Sequence, residues 1–82
     1  MLVMRYEHAS VEIDGAKLRR MRKEAGLTGV QLSARVGVTF SYLARVERGE
    51  LRTVAPARYN AILNALGIED RTTLYAPRSV AA

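Results

Sequence analysis

The sequence predicts an all-α domain of five short helices, preceded by a short extended arm. Three observations carry that reading. First, residues recur at three- and four-residue steps in four separate stretches, the spacing of a single helix face. They are Leu18, Met21, Arg22 and Ala25; Leu32 and Val36; Leu43 and Val46; and Tyr59, Ile62, Leu63 and Leu66. Second, helix-opening residues (Asp14, Thr28, Thr39, Pro56) precede these stretches and glycines (Gly26, Gly37, Gly49, Gly67) follow them. Third, the chain has 82 residues and no cysteine. It has room for one core built from aliphatic helix faces, with no disulfide framework and no thiolate metal site.

Residues 1–14 read as the extended arm. Leu2, Met4, Tyr6 and His8 alternate with Val3, Arg5 and Glu7, and Val11 and Ile13 alternate with Glu12 and Asp14. Asp14 caps a first helix from about Gly15 to Ala25. Lys17, Arg19, Arg20 and Lys23 fall mostly off its apolar stripe and read as solvated, and Leu27 tucks under its end. Thr28 and Gln31 form a capping box for a second helix that runs to about Val36. A third helix runs from about Phe40 to Arg48 and is followed by a polar loop, Glu50–Val54. Pro56 suits the first position of a fourth helix, where its missing N–H costs nothing. Asp70 caps a short fifth helix through Leu74 and Tyr75. The expected organisation is an arm over 1–14, a helical domain over 15–76 and a flexible tail over 77–82.

Thirteen Lys and Arg against eight Asp and Glu give a formal net charge of +5. A basic surface of this kind suits a polyanionic partner. The start, MLVMRYEH, is broken at Arg5 and lacks a small-residue cleavage site, so it does not read as a signal peptide. No stretch approaches the roughly 20 apolar residues of a membrane span. The expected location is cytoplasmic, without a membrane partner.

Gly29–Arg48 is the densest stretch. Leu32, Val36, Leu43 and Val46 face a shared interior, and Ser33 is small where two helices cross. Gly37 sits at a sharp turn, Val38 plugs the corner beneath it, and Thr39 caps the next helix. The register is that of a helix-turn-helix. Together with Gly15, Leu18, Arg19 and Arg22, with Gly26-Leu27-Thr28, with Val46-Glu47-Arg48-Gly49 and with Leu66-Gly67-Ile68, it resembles the Cro/C1-type helix-turn-helix (XRE) family of lambda-repressor-like fold. The resemblance covers about residues 15–68.

The resemblance implies that the third helix enters the major groove of double-stranded DNA. The implied base-reading residues are Phe40, Ser41, Ala44 and Arg45. Ser41 suits either kind of base edge, and Arg45 suits guanine O6 and N7 bidentately. Phe40 departs from the polar residue usual in the family; a thymine methyl and the protein's own surface are both open as its contact. Gly29 replaces the family's usual glutamine at the start of helix 2, leaving backbone amides as the anion donors there. Thr28, Gly29, Tyr42, Arg48, Arg52 and Thr53 are the implied phosphate contacts. Family members also pair an arginine of helix 1 with a glutamate ending helix 3, which here are Arg22 and Glu47. Both fall on largely apolar faces, where a lone charge is costly and a paired one tolerable.

Catalysis has little to stand on. His8 is the only histidine, the eight carboxylates show no facing pair, and Gly26-x-x-Gly29 lacks the strand-to-helix context of a phosphate loop. The sequence therefore reads as a non-enzymatic transcriptional regulator of repressor type, with no cofactor and no metal, occupying an operator. The alternatives are an antitoxin on the same fold, with a toxin or other regulator as protein partner, and a protein–protein module that does not bind DNA. One reading helix covers few base pairs, which points to a homodimer on a two-fold site. Leu2, Met4 and Tyr6 of the arm are the expected pairing residues.

Overall fold

Four α-helices and one two-stranded antiparallel sheet make up residues 10–77, the part of the chain described by this computed structural model. In chain order they are β1 (Val11–Glu12), α1 (Gly15–Glu24), α2 (Gly29–Val36), α3 (Phe40–Glu47), β2 (Thr53–Val54) and α4 (Pro56–Leu66). The caps are the expected ones. Asp14 accepts from Lys17 N at 3.0 Å, Thr28 and Gln31 close a reciprocal capping box, and Thr39 accepts from Tyr42 N at 3.0 Å. Gly37 ends α2 at φ 87°, where its N–H and that of Val38 both donate to the Ser33 carbonyl. A side chain there would be strained, which is why the sharp turn carries glycine.

The helix faces close on one core. Leu18, Leu32, Val46, Tyr59 and Leu74 are fully buried, and Leu43, Ile62, Leu63, Val54 and Ile13 nearly so. α2 packs against both α3 and α4, and α1 packs against α3. The approach of α1 to α3 is very close at one point. A Cβ on Gly15 would lie 2.0 Å from the Val46 carbonyl oxygen, so the start of α1 rests directly on the α3 backbone.

The fifth helix expected after Asp70 does not form; residues 71–74 are a turn. Asp70 does cap, through bonds from Thr72 N and Oγ1 at 2.9 and 2.8 Å, and these hold its carboxyl below the ordinary range. The two β-branched threonines that follow favour a turn over helix propagation. Long-range pairing then takes over. Asp14 N donates to Leu74 O, Ala76 N donates to Glu12 O, and Ile13 bridges Tyr75 antiparallel. Burying Leu74 contributes about 1.5–3 kcal/mol, enough to anchor the segment without a helix. Tyr59 adds a second anchor: its hydroxyl donates to Arg71 O and accepts from Leu74 N, and its ring stacks on Tyr75.

The polar loop expected over 50–54 also differs, because its last two residues are β2. They pair with β1 in the register Val11↔Val54 and Glu12↔Thr53, and Ile13 N donates to Arg52 O at 2.9 Å. The end of the expected arm is thus stitched to its own chain, since Val54 and Ile13 both have core to cover. Leu2, Met4 and Tyr6 lie outside the described residues, as do residues 78–82 of the expected tail.

Candidate nucleic-acid interface

α3 divides cleanly by periodicity. Leu43, Val46 and Glu47 are buried, while Phe40, Ser41, Arg45 and Arg48 are exposed and Ala44 is half-buried at the boundary. Residues 40, 41, 44, 45 and 48 fall on one side of a helix with 3.6 residues per turn. The expected base-reading set therefore shares one outward face.

The orientation of that face is set from behind. Arg22 Nε and Nη2 donate to Glu47 Oε2 and Oε1 at 2.7 and 3.0 Å, and Arg22 Nη1 donates to the Leu27 carbonyl at 2.9 Å. The two side chains are 11% and 6% exposed, so this ion pair is largely out of water. The bonds to Glu47 push the guanidinium pKa above its ordinary range, against the opposing effect of burial. One arginine thereby ties α1, the α1–α2 corner and the end of α3 together. At the α2–α3 corner, buried Ser33 donates to Val30 O at 2.9 Å, so the helices cross without an orphaned hydroxyl.

Phe40 and Gly29, the two departures from the family pattern, meet in space. A Cβ on Gly29 would lie 2.7 Å from Phe40 Cε1, so the ring occupies the room that a larger residue at the start of α2 would need. The ring still remains 53% exposed. It packs back on the protein with one face and leaves the rest on the α3 surface.

Phe40, Ala44, Gly29 and Arg48 line one groove, and Arg19 joins them from α1. Arg48 and Arg52 also share a second groove, beside Asp14 and Glu12. Thr28 is exposed at the α2 N-terminus, and Thr53 is exposed on β2. Ser41 and Arg45 stand outside both grooves on the open face of α3. Tyr42 has an unforeseen neighbour: the Arg58 guanidinium lies 4.8 Å from its ring centroid. Arg19 and Arg58 are cations that sequence reasoning left off the face. Arg19 falls off the apolar stripe of α1 and so reads as solvated, and no local pattern links Arg58 on α4 to α3. A further unforeseen group is Glu50. It accepts from Arg48 Nε at 2.8 Å and lies 3.5 Å from Arg45 Nε. This contact lowers the Glu50 pKa and raises that of Arg48, with the hydrogen bond between them the first cause of each.

Among the described residues no three His, Cys, Asp or Glu gather as metal ligands, and no helix is long and apolar enough to cross a membrane.

The family model of a helix-turn-helix domain matches residues 15–74. No curated protein matches the sequence. Among solved structures, the chain is similar to the clp gene regulator ClgR from C. glutamicum, at 33% identity and a TM-score of 0.62, covering 67% of this chain and 70% of that one. It is similar to the restriction-modification controller protein C.AhdI from Aeromonas hydrophila, at 33% identity and a TM-score of 0.67, covering 73% and 89%. It is also similar to SinR, the master regulator for biofilm formation, solved in complex with DNA, at 25% identity and a TM-score of 0.67, covering 72% and 94%. A shared corner geometry, a family match over most of the chain and regulators as structural neighbours agree: the chain belongs to the helix-turn-helix family, in its Cro/C1-type branch.

Proposed function

We propose that this protein is a transcriptional regulator of repressor type that binds double-stranded DNA sequence-specifically, with α3 in the major groove. The observation that carries this is the outward face of α3, Phe40, Ser41, Ala44 and Arg45, backed by the buried Arg22–Glu47 pair. A helix of about 10–12 Å diameter fills a major groove about 12 Å wide, so a fixed helix angle decides which side chains reach base edges. SinR, of similar fold, is itself a DNA-bound regulator.

In this reading Arg45 donates bidentately to a guanine, Ser41 reaches an adjacent base edge, and Ala44 and the free face of Phe40 meet thymine methyls. The α2 N-terminus, through Thr28 and the Gly29 amide, takes one phosphate. Tyr42, Arg48, Arg52 and Thr53 take others, joined by Arg19 and Arg58. The work is equilibrium occupancy, with no catalytic step and no cofactor. A homodimer on a two-fold operator supplies the base pairs that one α3 cannot cover. The cytoplasm is where such an operator is reached.

Selection of bound sequences from random duplex DNA tests the reading. The expected result is an enriched site with two-fold symmetry whose preference relaxes at one base pair in Arg45→Ala. Absence of any enriched site at low salt would refute it. Sedimentation of the protein, free and with the enriched duplex, reads the homodimer.

A further inference from the structure

Among the described residues, Glu50 alone bridges two arginines assigned to DNA. Its Oε2 accepts from Arg48 Nε at 2.8 Å and its Oε1 lies 3.5 Å from Arg45 Nε, with all three side chains about half exposed. The backbone holds it there. Gly49 N donates to Val46 O, and Glu50 N and Leu51 N both donate to Arg45 O, so the chain folds back over the last turn of α3. The backbone of Glu50 is thus fixed at the end of α3, with its carboxylate within reach of both arginines. Arg45 and Arg48 have different tasks there, one toward a base edge and one toward phosphate. A negative charge between them opposes phosphate binding and so does nothing for affinity as such.

We propose that Glu50 is a specificity-determining residue: its carboxylate, held between Arg45 and Arg48, repels the phosphates that both arginines meet on arbitrary DNA, and so weakens that complex more than one in which Arg45 sits on a base edge. The inference rests on the DNA-binding reading above. On an arbitrary duplex no guanine stands in register with Arg45, and these arginines meet only phosphates. Each would exchange one anion for another, and the displaced carboxylate would still face the phosphodiester chain. A preferred site adds a guanine edge for Arg45, which is neutral and is not repelled by Glu50. A bidentate arginine–guanine pair discriminates by about 5- to 150-fold, whereas an exposed ion pair is worth about fivefold at most. In the preferred complex Arg45 therefore leaves the phosphate that Glu50 repels for a base edge that it does not, and the repulsion weighs chiefly on the arbitrary complex.

The test measures binding of the full chain to two duplexes of equal length: one enriched from random DNA by the parent protein, and its scrambled counterpart. Glu50→Gln is compared with Glu69→Gln, which makes the same change in net charge. Glu69 follows the far end of α4, an 11-residue helix about 16 Å long whose near end carries Arg58 beside Tyr42. Glu50→Gln should tighten the scrambled duplex about two- to fivefold and the enriched one by clearly less, and should steepen the salt dependence on scrambled DNA by about one contact. Glu50→Asp, which keeps the charge, should hold the ratio of affinities nearer the parent value. If Glu50→Gln and Glu69→Gln shift both duplexes by the same factor, the proposal is overturned while DNA binding stands. If the parent itself shows no preference between the duplexes, the DNA-binding reading falls and this inference falls with it.

Discussion

Two arginine–glutamate pairings sit at the C-terminal end of α3, and they differ in almost everything but chemistry. Glu47 meets Arg22 in a bidentate contact that is 6–11% exposed. Glu50, three residues on, meets Arg48 and Arg45 with half of each side chain in water. Burial decides the difference. Inside, neither charge has solvent to fall back on, so the pair is indispensable once formed, and removing one partner strands the other. Outside, water and salt compete for every contact, so the pairing contributes little to folding and is free to be exchanged for another anion. The same two residue types thus build a fixed strut in one place and an exchangeable contact in the other.

The largest expected effect breaks the strut. Glu47→Ala should destabilise the fold by about 3–5 kcal/mol, read from denaturant unfolding, because Arg22 keeps its charge and loses two acceptors. Arg22→Met combined with Glu47→Leu should recover much of that loss. A Glu47→Ala melt that superimposes on the parent would mean that the pair is not a strut at all.

Arg45→Ala comes next and probes the exposed side. It should lose about 1–3 kcal/mol of affinity at an enriched site and relax one base position while leaving the melting temperature alone. Unchanged base preference in a titration series would remove Arg45 from the reading set. Arg48→Ala should act more evenly, weakening all duplexes alike and lowering the slope of log K against log salt by about one contact.

The smallest effect is on acid stability. The Glu50 pKa is depressed in the folded chain, so its pairing stabilises the fold above the unfolded pKa and that contribution is lost as pH falls through the folded value. Because the group is exposed, solvent screening should leave this loss barely measurable. Unfolding of Glu50→Gln followed between pH 6 and about pH 3 should therefore track the parent. A clear divergence on acidification would place Glu50 with Glu47 as a structural residue.

Much of this was legible in the chain because helices are local. Caps at Asp14, Thr28 and Thr39, the turn at Gly37 and the apolar stripes all depend on neighbours within four residues, and all form as read. The outward set on α3 came from the resemblance, and helix period explains why its members share a face. Arg22 and Glu47 lie 25 residues apart, and their pairing was legible through the family resemblance, with which two charges on apolar faces agree. The segment after Asp70 was misread for a matching reason. Its local signal for a helix start is real, but its fate rests on Leu74 and on backbone pairing with residues 12–14, far away in sequence.

Sequence alone therefore determined the bounds of the four helices that form and which positions of α3 share a face, since both are set by short-range hydrogen bonding and period. It also marked Gly29 and Phe40 as unusual, without joining them. Tertiary structure decided that the ring of one fills the space left by the other, that β1 pairs with β2, and that Arg58 stands beside Tyr42. It also decided which charges share a carboxylate. Those outcomes depend on how helices cross and where loops return, and that geometry is set by packing of the whole core.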